Sequence, residues 1–150
     1  MSGGKFEYRG LWRKARHLVF GLLLFIYPFL KIREGIDLTD TGYSLGNYRF
    51  FGEMDGVWML LTFLSNVTGH LFTRLPLGDT MLGVKFYATL LVSVTGLLGY
   101  RFFRTKMPSW LAFAGEIAAI SFCWCPVVIL YNYLSYLLFL LGAVLLFRGL

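Results

Sequence analysis

The chain has 150 residues, 57% hydrophobic and 19% aromatic, with a formal charge of +6 and a mean hydropathy of +0.66. A soluble domain carries roughly 45–50% apolar residues. The excess here lies in blocks, which argues against a water-soluble globule and reads as an all-α, polytopic helical membrane protein: about four transmembrane helices plus an outer interfacial amphipathic helix. The bases gather at the ends of these blocks instead of along one face, which argues against a nucleic-acid partner.

Residues 1–17 carry Lys5, Arg9, Arg13, Lys14 and Arg16 against Glu7. They imitate the basic start of a signal peptide, but no small-residue cleavage site follows the next apolar run. The stretch 17–32 is predicted as the first membrane helix. Its apolar part is short against the roughly 20 residues a span needs. Snorkelling Arg13, Arg16 and Lys31 extend it, and Pro28 is expected to kink its outer end.

The segment 33–56 reads as an acidic outer loop carrying Glu34, Asp37 and Asp40. Asp37 and Asp40 are three apart, so on one helical turn both point the same way. Gly35 and Gly42 favour a loop instead, with Asp40-Thr41-Gly42 as a turn. Such a cluster can bind a divalent cation, Mg²⁺ or Mn²⁺, through oxygen ligands, or supply a carboxylate as general base to an acceptor hydroxyl. A solvated loop whose acids balance Lys31 and Arg33 is the plain alternative.

Over 57–72, Thr62, Ser65, Asn66, Gly69 and His70 recur at helical spacing along one face. This predicts an interfacial helix lying on the outer surface, its polar stripe toward water or toward the acidic loop. A fifth membrane crossing is the competing reading. Asn66-Val67-Thr68 fits the N-glycosylation pattern, but a helix makes a poor acceptor. His70 belongs to the polar stripe or serves as a ligand.

Asp79 or Thr80 is expected to cap the second span, 81–100. Lys85 lies about one turn inside its outer end, where a cation snorkels or meets an anionic headgroup or phosphate. Arg101, Arg104 and Lys106 close that span. The third span, 110–124, contains Glu116, whose expected partner is Arg101 or Arg104 across the tight link. A turn at 125–132 leads to the fourth span, 133–147, and Tyr131-Asn132-Tyr133 sets polar groups near the acidic loop. Cys123 and Cys125 read as apolar filler, since cysteines two apart rarely bridge and two ligands do not make a zinc site. The positive-inside rule places the N-terminus, the 101–106 link and Arg148 in the cytoplasm, and 31–81 outside. A bacterial inner membrane is the default location for this multi-pass chain.

Read together, Asp40-Thr41-Gly42-Tyr43 after one span, an amphipathic juxtamembrane helix, Leu75-Pro76-Leu77-Gly78 entering a second span with Lys85, and a tight helical hairpin form a pattern. It resembles the N-terminal part of a GT-C superfamily glycosyltransferase, a membrane enzyme using polyprenyl-phosphate-linked sugars. The resemblance implies transfer of a sugar to an acceptor hydroxyl at the outer membrane face. It makes Asp40 the catalytic base or a metal-linked carboxylate, with Asp37 as its helper and a divalent cation held between them. Lys85 would then contact the lipid phosphate, with Tyr43 and His70 among the substrate-binding residues, and the partners would be a lipid-linked sugar donor and membrane lipids. Family members usually have more spans and an Arg where Lys85 stands, so the chain is expected to be an incomplete GT-C-like transmembrane module. The alternative is a small non-enzymatic four-span protein, flippase-like or an accessory subunit for lipid-linked sugars.

Overall fold

The computed structural model describes residues 3–34, 38–123 and 131–149. Among them the regular structure is all helical, with no strand. α1 (Gly3–Ile26) runs into a 3₁₀ turn (Tyr27–Lys31); α2 (Leu38–Arg49), a second 3₁₀ turn (Phe51–Glu53), α3 (Gly56–Leu61) and α4 (Phe63–Thr73) follow. α5 (Met81–Phe103), α6 (Ser109–Cys123) and α7 (Tyr131–Gly149) complete the chain. Two helices, α5 and α7, are long and apolar enough to cross a membrane; the apolar run in α6 is shorter. The switch from α to 3₁₀ after Ile26 falls at Pro28, where the missing N–H breaks the α-helical ladder.

α5 is the centre. It buries Gly83, Ala88, Thr89, Ser93, Gly96 and Gly99 together with Val84, Val92 and Tyr100. Small side chains let neighbouring helices approach closely. Against α1 the contacts descend one helix as they climb the other. His17 Nδ1 lies 2.8 Å from the Tyr100 hydroxyl, Gly21 faces Leu97, Ser93 Oγ donates to the Phe25 carbonyl at 2.9 Å, and Phe29 meets Phe86. The pair is therefore antiparallel. α6 is also antiparallel to α5, with Glu116 on Gly99 and Ile120 on Gly96. It is parallel to α1, with Phe20 stacked on Phe113 at 4.4 Å and Tyr27 bonded to Ser121 at 2.7 Å. α7 runs with α5, from Tyr133 near Val92 to Phe147 against Phe102.

This arrangement sorts the charges. Arg13, Lys14, Arg16, Arg101, Arg104, Lys106 and Arg148 fall at one end of the bundle, and the acids Glu34, Asp40, Glu53, Asp55 and Asp79 fall at the other, among the bases Lys31, Arg33, Arg49 and Arg74. α7 leaves Phe139, Leu145, Leu146 and Phe147 facing outward, and only 6% of its apolar window is buried. A helix apolar all round but uncovered needs an apolar medium or partner.

Three expectations are corrected. The segment 33–56 is not simply a loop, since 38–49 is the helix α2 despite Gly42 and Gly46. Its buried face, Thr41, Ser44 and Tyr48, docks on Ser65, Asn66 and Gly69 of α4, and this packing outweighs the roughly 1 kcal/mol that each mid-helix glycine costs. The stretch 57–72 is two helices, broken at Thr62 (φ −129°, ψ 31°), and its polar stripe faces α2. Glu116 has no ion-pair partner among the described residues; Arg104 lies over the Tyr100 ring at 5.8 Å instead. The sequon asparagine Asn66 is 1% exposed, closed to glycosylation in the folded chain. Asp37, Cys125 and most of the turn at 125–132 lie outside the described residues.

The turn into α5 is tight. Leu77 sits at φ 62°, Tyr87 donates to the Pro76 carbonyl, and Thr80 caps α5 by accepting from the Gly83 N–H at 3.1 Å. A left-handed non-glycine residue costs about 1–2 kcal/mol. Leu77→Gly removes that cost and adds unfolded-chain freedom of about 0.4–1 kcal/mol. The expected result is a chain stabilised by up to about 1 kcal/mol, read as a later unfolding transition in detergent micelles.

Candidate functional site

The site is built on the pairing of α2 with α4. Tyr48 is fully buried, and its ring lies on Gly69, where a Cβ would overlap it. Its hydroxyl reaches Ser65 Oγ at 3.3 Å. The His70 ring donates from Nδ1 to the Tyr48 carbonyl at 2.8 Å and stacks on Phe51. These contacts fix α2 against α4 in one register and direct the next polar stripe of α2 toward the N-terminal end of α4.

That stripe is Asp40, Tyr43, Ser44 and Asn47, spaced i, i+3, i+4, i+7 along one side of α2. With Thr62, Ser65 and Asn66 opposite, and Tyr131 from the start of α7, it walls a cavity of about 250 Å³. This is smaller than the roughly 300–1,000 Å³ of a drug-sized ligand pocket, and it suits one small polar group. The wall is chemically mixed. Asp40, in the first turn of α2, is an exposed carboxylate acceptor. Asn66 Nδ2 is held by Thr62 Oγ1 at 3.0 Å. Asn47 Nδ2 is buried with no hydrogen-bond partner among the described residues. A buried donor left unpaired costs about 1–3 kcal/mol. Tyr43 and Tyr131, each less than half exposed or close to it, add aromatic faces.

Of the predicted site residues, the fold brings Asp40 and Tyr43 together and adds Tyr131 from the far end of the sequence. His70 fixes the α2–α4 pair and is not in the cavity wall. Lys85 is 5% exposed, and its ammonium donates to the Glu34 carbonyl, so it too lies outside that wall. Asn47 and Ser65 enter as wall residues that the loop reading of 33–56 did not select. Asp37, the other expected metal ligand, lies outside the described residues. Asp40 is the one carboxylate of the described wall, no group of three or more His, Cys, Asp or Glu gathers among the described residues, and one carboxylate with neutral oxygens holds a divalent cation weakly. No family model, curated protein or solved structure matches the chain.

Proposed function

We propose that the chain is a multi-pass membrane protein of four spans: α1 with its 3₁₀ extension, α5, α6 and α7. The basic end lies in the cytoplasm and the acidic end on the opposite side. The uncovered apolar surface of α7 supports the membrane reading, and the excess of bases at one end of the bundle supports the orientation.

The cavity at the acidic end takes the sugar head of a polyprenyl-phosphate-linked donor, and the chain belongs to a machinery that transfers that sugar to an acceptor hydroxyl. The observation that carries this reading is the wall itself: one carboxylate, the side chains of Asn47 and Asn66, and two tyrosine faces around a space of sugar-like size. A polyhydroxyl group needs both acceptors and donors, and a ring with apolar faces packs on aromatics. In the transfer step the acceptor oxygen bonds to the anomeric carbon and its proton passes to Asp40. The bond from that carbon to the phosphate oxygen breaks, and the electron pair leaves on the lipid phosphate.

A second reading, binding of the lipid-linked sugar without transfer, draws on Lys85. Its ammonium is engaged by Glu34, which leaves the described cavity wall without a cation for a departing phosphate.

Mannosyl-phosphoryl-polyprenol, offered to the full chain in nanodiscs with a hydroxyl acceptor, separates the two. Transfer by wild type that falls about 10²–10⁴-fold in Asp40→Asn, with donor still bound, supports the base role. Donor binding with no transfer assigns the accessory role. Absence of donor binding by wild type overturns both.

A further inference from the structure

Glu116 is the one charged residue of α6. It lies on the seam where α6 meets α5, and the carboxylate occupies the space above Gly99, where a Cβ would overlap Oε1. One turn away Gly96 makes the same allowance for Ile120. The two glycines cut a notch in α5 that fits this side chain. The notch opens into a cavity of about 60 Å³ between α5, α6 and α7. At about 30 Å³ per molecule in the liquid, that is room for one or two waters. Thr95 of α5 and Tyr133 and Tyr136 of α7 line its other sides.

Among the described residues no cation pairs with this carboxylate from any packed element. On α5, Lys85 is engaged by Glu34, Arg101 is exposed and Arg104 lies against Tyr100. α7 presents Tyr133 and Tyr136, and α1 meets α6 through Phe20 and Tyr27. In hydrocarbon an ionised carboxylate without a partner costs several kcal/mol or more, so the group keeps its proton. A carboxyl placed this way, beside a cavity with room for a water and with Thr95, Tyr133 and Tyr136 in its wall, has the parts of a proton-exchange site: an acid, a shaped cleft, and space for a solvent molecule to receive the proton.

We infer that Glu116 is a membrane-embedded proton-binding site, whose neutral carboxyl exchanges its proton with water held between α5, α6 and α7. This rests on the membrane reading above and is independent of the sugar cavity, which lies at the acidic end.

The test uses a hydrophobic fluorescent carbodiimide on the full chain in nanodiscs. A protonated carboxyl gives its proton to a carbodiimide nitrogen while its oxygen bonds to the central carbon. The resulting O-acylisourea rearranges to a stable N-acylurea that mass spectrometry maps to a residue. The expected result is label on Glu116 that falls roughly tenfold per pH unit once the carboxyl ionises. Glu116→Gln is expected to take no label at that position and to unfold with an essentially unshifted transition, because the amide keeps the size of a neutral carboxyl. Gly99→Ala, with Glu116 intact, is expected to lower labelling severalfold by filling the notch. Absence of label on wild type, or label independent of pH, overturns the proposal. Equal labelling by a water-soluble carbodiimide overturns it together with the membrane reading, whereas failure of sugar binding leaves it standing.

Discussion

Tyr48→Ala is expected to cost about 3–5 kcal/mol and to undock α2 from α4. The side chain is fully buried, its ring fills the space over Gly69, and its hydroxyl meets Ser65. Truncation removes the ring and leaves a hole bounded by two helices, one of them short and glycine-containing. α2 has little intrinsic helical stability to fall back on, because short helices hold through tertiary packing. Tyr48→Phe separates ring from hydroxyl. It keeps the packing and gives up the hydroxyl's long bond to Ser65, a loss of about 1 kcal/mol for that bond. Unfolding transitions in detergent micelles measure both. Equal transitions for wild type and Tyr48→Ala would mean that the α2–α4 contact does not hold the acidic end together.

The second large effect is expected at Gly83. A Cβ there would sit on the Leu77 carbonyl oxygen, which is backbone and cannot rotate aside. Thr80 Oγ1 caps the same turn through the Gly83 N–H, so opening the turn loses the cap as well. Gly83→Ala is therefore expected to destabilise by about 3 kcal/mol, at the upper end of overpacking costs. Gly115→Ala is the control. Nothing lies within 4 Å of its Cβ position, and alanine in an open mid-helix site gains up to about 1 kcal/mol. The pair is read in the same unfolding assay. A Gly83→Ala chain as stable as Gly115→Ala would disprove the tight turn.

The sequence showed clearly where apolar blocks begin and end. The expected spans 81–100, 110–124 and 133–147 lie over α5, α6 and α7 to within a few residues, because long apolar runs and a capping threonine are local signals. α2 was hidden. Gly42 and Gly46 lower its propensity, and what makes it helical is Tyr48 meeting Gly69, a partner 21 residues away that no local window sees. That misreading also hid part of the cavity. Once 38–49 is helical, Asp40, Tyr43, Ser44 and Asn47 fall on one face by spacing alone, and Asn47 is found with the rest. Tyr131 was legible as a polar group at the acidic end, since the spans on either side fix the end to which it returns. The position of Lys85 was readable but the direction of its ammonium was not, because the acceptor is a backbone carbonyl 51 residues earlier.

The link from Lys85 to the Glu34 carbonyl has a mechanical meaning. It joins the central helix to the strand of chain that delivers α2, so the floor of the bundle and one wall of the polar cavity share a tether. A one-residue slip of α5 along its axis, about 1.5 Å, would have to break or carry the Lys85–Glu34 bond.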